Sequence, residues 1–471
     1  MNGKVKIFDN RLREIQSLLV LSIALSIPAI LLSDYLFLSL PVLFLLILAV
    51  IFEKRFLIII IIVSLFTLVG DVGRTLRQIV YLVDFSLLGY FFLSKYGLNF
   101  KSYPKIPKSL KYFLILYYST MIISAVMSDY PFAGIGLMAR QMALFIIAYV
   151  FYSLINSIND IKQYFNSIYV VGFILVTFSL LAFSQGEASL LEIFSPDRPR
   201  VSAIMSNLEA STNFYVVSFP FIISTLLLTK INSVKKLNYF LLIYLSIGLI
   251  LAMSRSALIG IIFSTAIIFF INKKKRFYQL LIGLSAIVLS FFLIQPLNDL
   301  LTTFLRIESG VSARDYIWKM SVDMINDNFL FGVGPGAYKY EMLNYFPYML
   351  DNWWGKLLIY FYEVTDGANL SHNFFLTFFT EMGVLGFITA VSLPFIYLRI
   401  GIKTLIKYKK QSAEKFYLVV ALFAAGCSII LRNFFNGIGL LYVGGIQTDL
   451  PFWLIFGSLI YFYQSQIEMN S

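Results

Sequence analysis

Long apolar runs return along the whole chain, divided by short polar stretches. A hydrocarbon core about 30 Å thick asks for about 20 apolar residues in each crossing helix. Runs of this kind lie at about 17–33, 35–52, 56–70, 79–94, 112–128, 141–156, 164–185, 212–229, 237–253, 257–272, 277–295, 373–399, 416–431 and 450–463. Several are short enough to be re-entrant, so twelve to fourteen spans are expected. Hydrophobic residues make up 59% of the chain and charged residues 13%, far from the soluble mixture. The fold class is therefore an all-α polytopic membrane protein. Residues 1–295 hold about eleven transmembrane helices, 296–372 form a large outward loop, and 373–471 add about three more helices. The run from Ser17 to Leu32 has no small-residue cleavage site and reads as a retained first span. The chain shows no internal repeat, low-complexity segment or separate soluble domain.

The net charge of +12 belongs to membrane topology rather than to nucleic-acid binding. With the amino terminus inside, alternate loops place 25 of the 37 lysines and arginines in the cytoplasm and 12 on the opposite side. That asymmetry follows the positive-inside pattern and puts both termini in the cytoplasm. The kind of cation differs as well: 20 of the 25 inner cations are lysine, and 9 of the 12 outer ones are arginine. Arginine presents a planar, permanently charged fork that matches phosphate oxygens in pairs. An arginine-rich outer face points to a phosphate-bearing ligand. Snorkelling at helix ends accounts equally well for Arg74 and Arg77.

Two outward loops stand out by length. The first, about 186–211, carries Arg198, Arg200 and Asn207; the second, about 296–372, carries Trp318, Trp353 and Trp354. Within the second, Ser312-Ala313-Arg314-Asp315 resembles a capping box, and Ala313, Ile317, Met320 and Met324 repeat at helical spacing. An amphipathic helix on the membrane surface is expected there, ending near Asn326-Asp327-Asn328, with Arg314 and Trp318 one turn apart. The run Gly332-Val333-Gly334-Pro335-Gly336 lacks the spacing and the lysine of a nucleotide loop and reads as a turn. Asp84 and Glu381 stand inside apolar runs, where charges are functional candidates. Glu381 lies nine residues after His372, on the opposite face of a straight helix, and is expected to pair with another helix.

His372 is the only histidine, and imidazole titrates near neutrality without help. It stands where the long polar loop meets an apolar run. Ser371 is the expected cap of the helix that follows, which would set the ring beside the positive helix end and keep it neutral. A lone histidine at a membrane interface also serves simply to anchor a helix end. With one histidine and one cysteine, Cys427, a zinc site would need carboxylate ligands, which zinc disfavours. No cytoplasmic phosphate-binding glycine loop with a lysine appears, which argues against ATP-driven chemistry. One candidate base and several arginines on the outer face suit displacement at a carbon whose leaving group is a lipid-linked diphosphate. A transporter or flippase of lipid-linked sugars is the alternative class. Transporters place binding groups near the midplane, often in repeated halves, a pattern this chain lacks.

These residues also resemble a known family. Ser254-Arg255-Ser256-Ala257-Leu258-Ile259-Gly260 is similar to the arginine-bearing helix junction of the O-antigen ligase/polymerase superfamily. The segment from Arg314 through Trp318 to Gly332-Val333-Gly334-Pro335-Gly336 resembles its outer-loop signature, and His372-Asn373 followed by Glu381-Met382-Gly383-Val384-Leu385-Gly386 its closing motif. Arg200 through Asn207 resembles an arginine–asparagine stretch, departing from it at Leu208, where proline is common. The resemblance spans roughly 195–390. It implies a metal-independent glycosyltransferase of the bacterial inner or plasma membrane that uses no cofactor. The donor would be an undecaprenyl-diphosphate-linked oligosaccharide, and the acceptor a hydroxyl on a lipid-linked repeat or on lipid A core, with inversion. His372 would then be the base, Arg255 and Arg314 would hold the diphosphate, and Arg200, Asn207, Trp318 and Asn373 would contact substrate. A polymerase of O-antigen, capsule or exopolysaccharide is favoured over a ligase because no feature is ligase-specific. A polymerase would have a chain-length regulator protein as a further partner.

Overall fold

The computed structural model describes residues 54–67, 74–185, 208–295, 314–345, 371–441 and 445–465. They fold into α1 (Lys54–Thr67), α2 (Arg74–Tyr96), α3 (Lys108–Met127), α4 (Pro131–Leu154), α5 (Ile158–Gln185), α6 (Leu208–Leu228) and α7 (Asn232–Ala252). There follow α8 (Arg255–Asn272), α9 (Lys274–Leu293), α10 (Arg314–Asp327), the single turn α11 (Tyr338–Glu341), α12 (Phe374–Tyr408), α13 (Ala413–Arg432) and α14 (Ile446–Gln464). No strand occurs among the described residues. Eight of these helices are long and apolar enough to cross a membrane. The protein is an all-α polytopic membrane protein.

Twelve of the fourteen expected spans fall on described residues, and each lies on a helix. The runs at 17–33 and 35–52 lie outside the described residues. Helix boundaries differ most where local chemistry starts a helix ahead of its apolar run. The α4 helix begins at Pro131, whose fixed φ suits a first turn. The α13 helix is capped by Ser412, whose hydroxyl accepts from the Lys415 N–H.

Helices α6 and α13 bury most of their length, whereas α3, α7 and α8 turn broad apolar faces outward. Inner and lipid-facing helices differ in this way when lipid replaces water as solvent. The α6–α8–α13 packing forms one block, and α12 packs on α3, α13 and α14. Aromatic pairs fill the interior: Phe66 meets Phe214 edge-on at 4.8 Å between centroids, and Phe165 stacks on Phe221 at 3.7 Å. Asp84 is buried and accepts a 2.7 Å hydrogen bond from Ser64 across the α1–α2 contact, so this intramembrane carboxyl ties two helices.

Hydrogen bonds sort the bundle into two ends. One end gathers the ends of α2, α4 and α14, where Tyr96 donates to the Ser153 carbonyl, Tyr152 to Gln464 and Tyr461 to the Asn156 carbonyl; Lys162 and Glu414 pair across α5 and α13 at this end. The other end gathers α10, α11, the starts of α6, α8 and α12 and the end of α13. A cavity of about 490 Å³ opens at the first end beside Lys162, Tyr169, Asn238 and Glu414, and holds none of the residues singled out in the sequence.

Candidate functional site

His372 sits in a short turn that three neighbours hold. The indole N–H of Trp318 donates to the Ser371 carbonyl at 2.9 Å. The Ser371 hydroxyl bonds the Thr377 hydroxyl at 2.7 Å and the Asn373 carbonyl at 2.9 Å. Asn373 Oδ1 accepts from the backbone N–H groups of Phe375 and Leu376 at 3.0 and 3.1 Å. The cap of α12 is therefore Asn373 and not Ser371. The helix begins at Phe374, and the Ser371 hydroxyl, two residues too early for a cap, bonds Thr377 instead. His372 is half-buried immediately ahead of the cap, with φ at 53°. A left-handed backbone at a side-chain-bearing residue costs roughly 1–2 kcal/mol, so the surrounding bonds must hold it. Met253, with φ at 46°, is the other such residue among those described, and it stands two residues ahead of Arg255.

The start of α12 docks on the end of α13. The Phe374 N–H donates to the Asn433 carbonyl at 3.0 Å, and Asn373 Nδ2 donates to the Phe434 carbonyl at 3.0 Å. One helix thus offers its free carbonyls to the free donors of another. Arg432, the last residue of α13, is fully buried. Its Nε donates to Ser256 Oγ at 3.2 Å, and its two terminal nitrogens donate to Asn213 Oδ1 and Thr212 Oγ1. Ser256 follows Arg255, the first residue of α8, where Ser254 caps the helix by accepting from the Ala257 N–H. Arg255 is half-buried and lines a cavity of about 220 Å³ with Ser246, Leu249, Ile250, Met253, Ser254 and Leu258. The His372 and Arg255 junctions therefore meet on the two sides of Arg432.

A third connection runs through the glycine turn. Residues 332–336 form a turn, as the spacing suggests, and it zips onto α12 where that helix breaks at Gly383. Val333 and Gly334 donate to the carbonyls of Thr380 and Glu381 at 2.9 Å each, and Val384 donates to the Phe329 carbonyl at 2.9 Å. The two backbones come so close that a Cβ on Gly332 would lie 2.3 Å from the Glu381 carbonyl carbon. One on Gly383, where φ is 64°, would lie 2.2 Å from the Leu330 oxygen. Both positions thus require glycine for close approach.

Glu381 is 2% exposed. Its carboxyl faces the backbone N–H groups of Gly336 and Tyr338, and its carbonyl also accepts from the Ser124 hydroxyl at 2.8 Å. The sequence suggested a partner on another helix; the carboxyl meets Tyr338, which opens α11, together with Gly336 of the turn, because the break in α12 brings that backbone against it.

The helix predicted from Ile317, Met320 and Met324 is α10, and it ends at Asp327 as expected. Its apolar face is not laid on the membrane. Val333, Ala337, Tyr338 and Met342 cover it, because the glycine turn folds α11 back over the helix. The Tyr338 hydroxyl shares a 2.9 Å bond with Ser321 and donates to the Ile317 carbonyl at 3.2 Å. Burial pushes this phenol well above its ordinary range, so it stays a donor.

Of the residues read from the sequence, Arg255, His372, Asn373 and Trp318 come to one end of the bundle. Arg314 opens α10, one turn before Trp318; its side chain lies outside the described residues, as do Ser312 and Ala313. Arg200, Asn207, Trp353 and Trp354 also lie outside them. Trp318 and Asn373 were expected to contact substrate, and their N–H groups are engaged in holding the His372 turn. Sequence reasoning missed Arg432, Thr212 and Asn213. An arginine closing a buried apolar run, followed by Asn433 and Asn436, was the signal available.

Residues 240–391 match the family model described as O-antigen ligase. The match takes in Arg255, Arg314, Trp318, His372 and Glu381 and leaves out Arg200, Asn207 and Arg432. No curated protein matches the chain. Through its segment 240–391, set in an all-α polytopic bundle, the chain is similar to the O-antigen ligase family.

Proposed function

We propose that this protein is a membrane glycosyltransferase that joins lipid-diphosphate-linked glycan units to a sugar hydroxyl, acting as a polymerase of a surface polysaccharide. The observation that carries the reading is the meeting of the His372 and Arg255 junctions on either side of Arg432, both junction residues lying in a segment matched to the O-antigen ligase family. In this mechanism His372 accepts the proton of the incoming hydroxyl. The acceptor oxygen bonds the anomeric carbon from the face opposite the leaving group, the bond from that carbon to the phosphate oxygen breaks, and configuration inverts. Arg255 and Arg314 hold the departing diphosphate, where guanidinium forks match its oxygens in pairs. Arg200 and Asn207 contribute to donor binding. Trp318 and Asn373 act by fixing the turn that carries the base.

The lysine and arginine asymmetry supports an orientation with this end facing away from the cytoplasm of a bacterial plasma or inner membrane, and with both termini inside. The donor is then an undecaprenyl-diphosphate oligosaccharide, and a chain-length regulator is a natural partner. The likeness of residues 240–391 to the O-antigen ligase family favours a second reading, transfer of finished glycan to lipid A core. Deletion followed by a gel of surface polysaccharide separates the two. Chains capped at one repeat mean polymerase, and long chains left on the carrier lipid mean ligase. Unchanged polysaccharide would remove both, and turnover of a lipid-diphosphate glycan in detergent without any gradient excludes a transporter.

A further inference from the structure

We propose that Arg432 is a positioning residue for this reaction: it braces the Arg255 and His372 junctions against one another, and turnover depends on that brace. The inference rests on the transferase reading above. A guanidinium enclosed in an apolar bundle is costly unless its donors are satisfied. Here the fork is spread over three side chains from two other helices, Thr212 and Asn213 of α6 and Ser256 of α8. Its place at the C-terminal end of α13 adds the favourable field of that helix's terminal carbonyls. Asn213 extends the brace by donating to the Thr448 carbonyl at 3.1 Å, which ties in α14.

The brace acts in two directions. Toward α8 it grips the hydroxyl of Ser256, the residue after Arg255, and so sets the first turn on which that arginine stands. Toward α12, the two residues after Arg432 supply the carbonyls that receive the Phe374 N–H and the Asn373 amide, and so set the turn holding His372. Arg432 also lies outside the matched family segment, so nothing in that match assigns it a role. Lysine keeps the charge but is a single point of donors on a flexible stem; it cannot span Ser256, Thr212 and Asn213 together.

The test uses purified full-length protein with Arg432→Gln and Arg432→Lys, read by hydrogen exchange and by transfer kinetics at matched folded concentration. Exchange is expected to rise in both 254–262 and 371–380 while 396–408, at the other end of α12, stays protected. A rise spread evenly over the bundle, or none in the two junctions, overturns the brace. With lipid-diphosphate donor, kcat is expected to fall about 10²-fold, the cost of an ångström-scale misplacement, with the donor KM changing far less. Lysine should restore thermal stability more than turnover. In Arg432→Gln, adding Ser256→Ala should cost little further kcat, because the partner is already lost. Normal kcat from a protein with loosened junctions overturns the functional part of the inference. Should the wild-type protein transfer nothing, the transferase reading fails by itself, and exchange alone upholds or overturns the brace.

Discussion

The Trp318 indole N–H and the Ser371 carbonyl lie 2.9 Å apart, and this bond fastens the helix opened by Arg314 to the residue before His372. A diphosphate grip on α10 and a base ahead of α12 would thereby share one rigid frame. Trp318→Phe keeps most of the ring and removes the donor. The change should destabilise the fold by about 1 kcal/mol, the usual net worth of a hydrogen bond, and lower kcat more than that loss explains. Activity equal to wild type in a kinetic comparison at matched folded protein would show that the bond positions nothing.

His372 combines a left-handed backbone with the proposed chemistry, and the two roles separate by substitution. Asparagine tolerates this backbone better than most residues, so His372→Asn should preserve the turn, and His372→Ala should strain it. Both should lose about 10²–10⁴-fold in transfer if the imidazole is the base. Recovery of turnover in His372→Asn alone would reduce the histidine to a helix-end anchor.

Arg255→Lys and Arg314→Lys should both be severely impaired, because lysine retains charge but not the two-point contact with phosphate oxygens. Arg74→Lys and Arg306→Lys, outside the motifs, should behave close to wild type. The measurement is transfer from purified lipid-diphosphate donor at fixed salt. Near-full activity of both motif variants would sink the bidentate grip.

Gly383 is expected to be the least replaceable glycine of the junction. Gly383→Ala meets the Leu330 oxygen at 2.2 Å in a left-handed backbone, whereas a Cβ on Gly336 has 3.5 Å to its nearest neighbour. Thermal unfolding should show Gly383→Ala losing at least about 2 kcal/mol, the middle of the usual range of backbone strain at one residue, and Gly336→Ala losing less. Equal losses would mean that the close approach of the glycine turn to α12 is unimportant to stability.

The cation asymmetry supports an orientation with the 296–372 loop outside. A cysteine placed at Ser309 in a Cys427→Ala background should react with an impermeant thiol reagent in intact cells. Labelling only after the inner membrane is breached would invert the topology and move the proposed chemistry to the cytoplasm.

The apolar runs by themselves determined the helices, because a backbone crossing lipid must satisfy its own hydrogen bonds. All twelve runs on described residues became helices for that reason. The spacing of Ile317, Met320 and Met324 likewise determined α10, since a period near 3.6 is a local property. What covers that face was not local: Tyr338 and Met342 reach it only because the glycine turn packs on the break at Gly383. The single histidine could be singled out by its chemistry. Its cap, Asn373, and the Trp318 bond that holds it depended on which backbone groups the fold left free. Arg432 shows the limit most plainly, for Ser256, Asn213 and Thr212, which accept from it, lie 176, 219 and 220 residues away along the chain. No periodicity or spacing encodes such a contact, and only the packing of α6, α8 and α13 brings the donors and acceptors together.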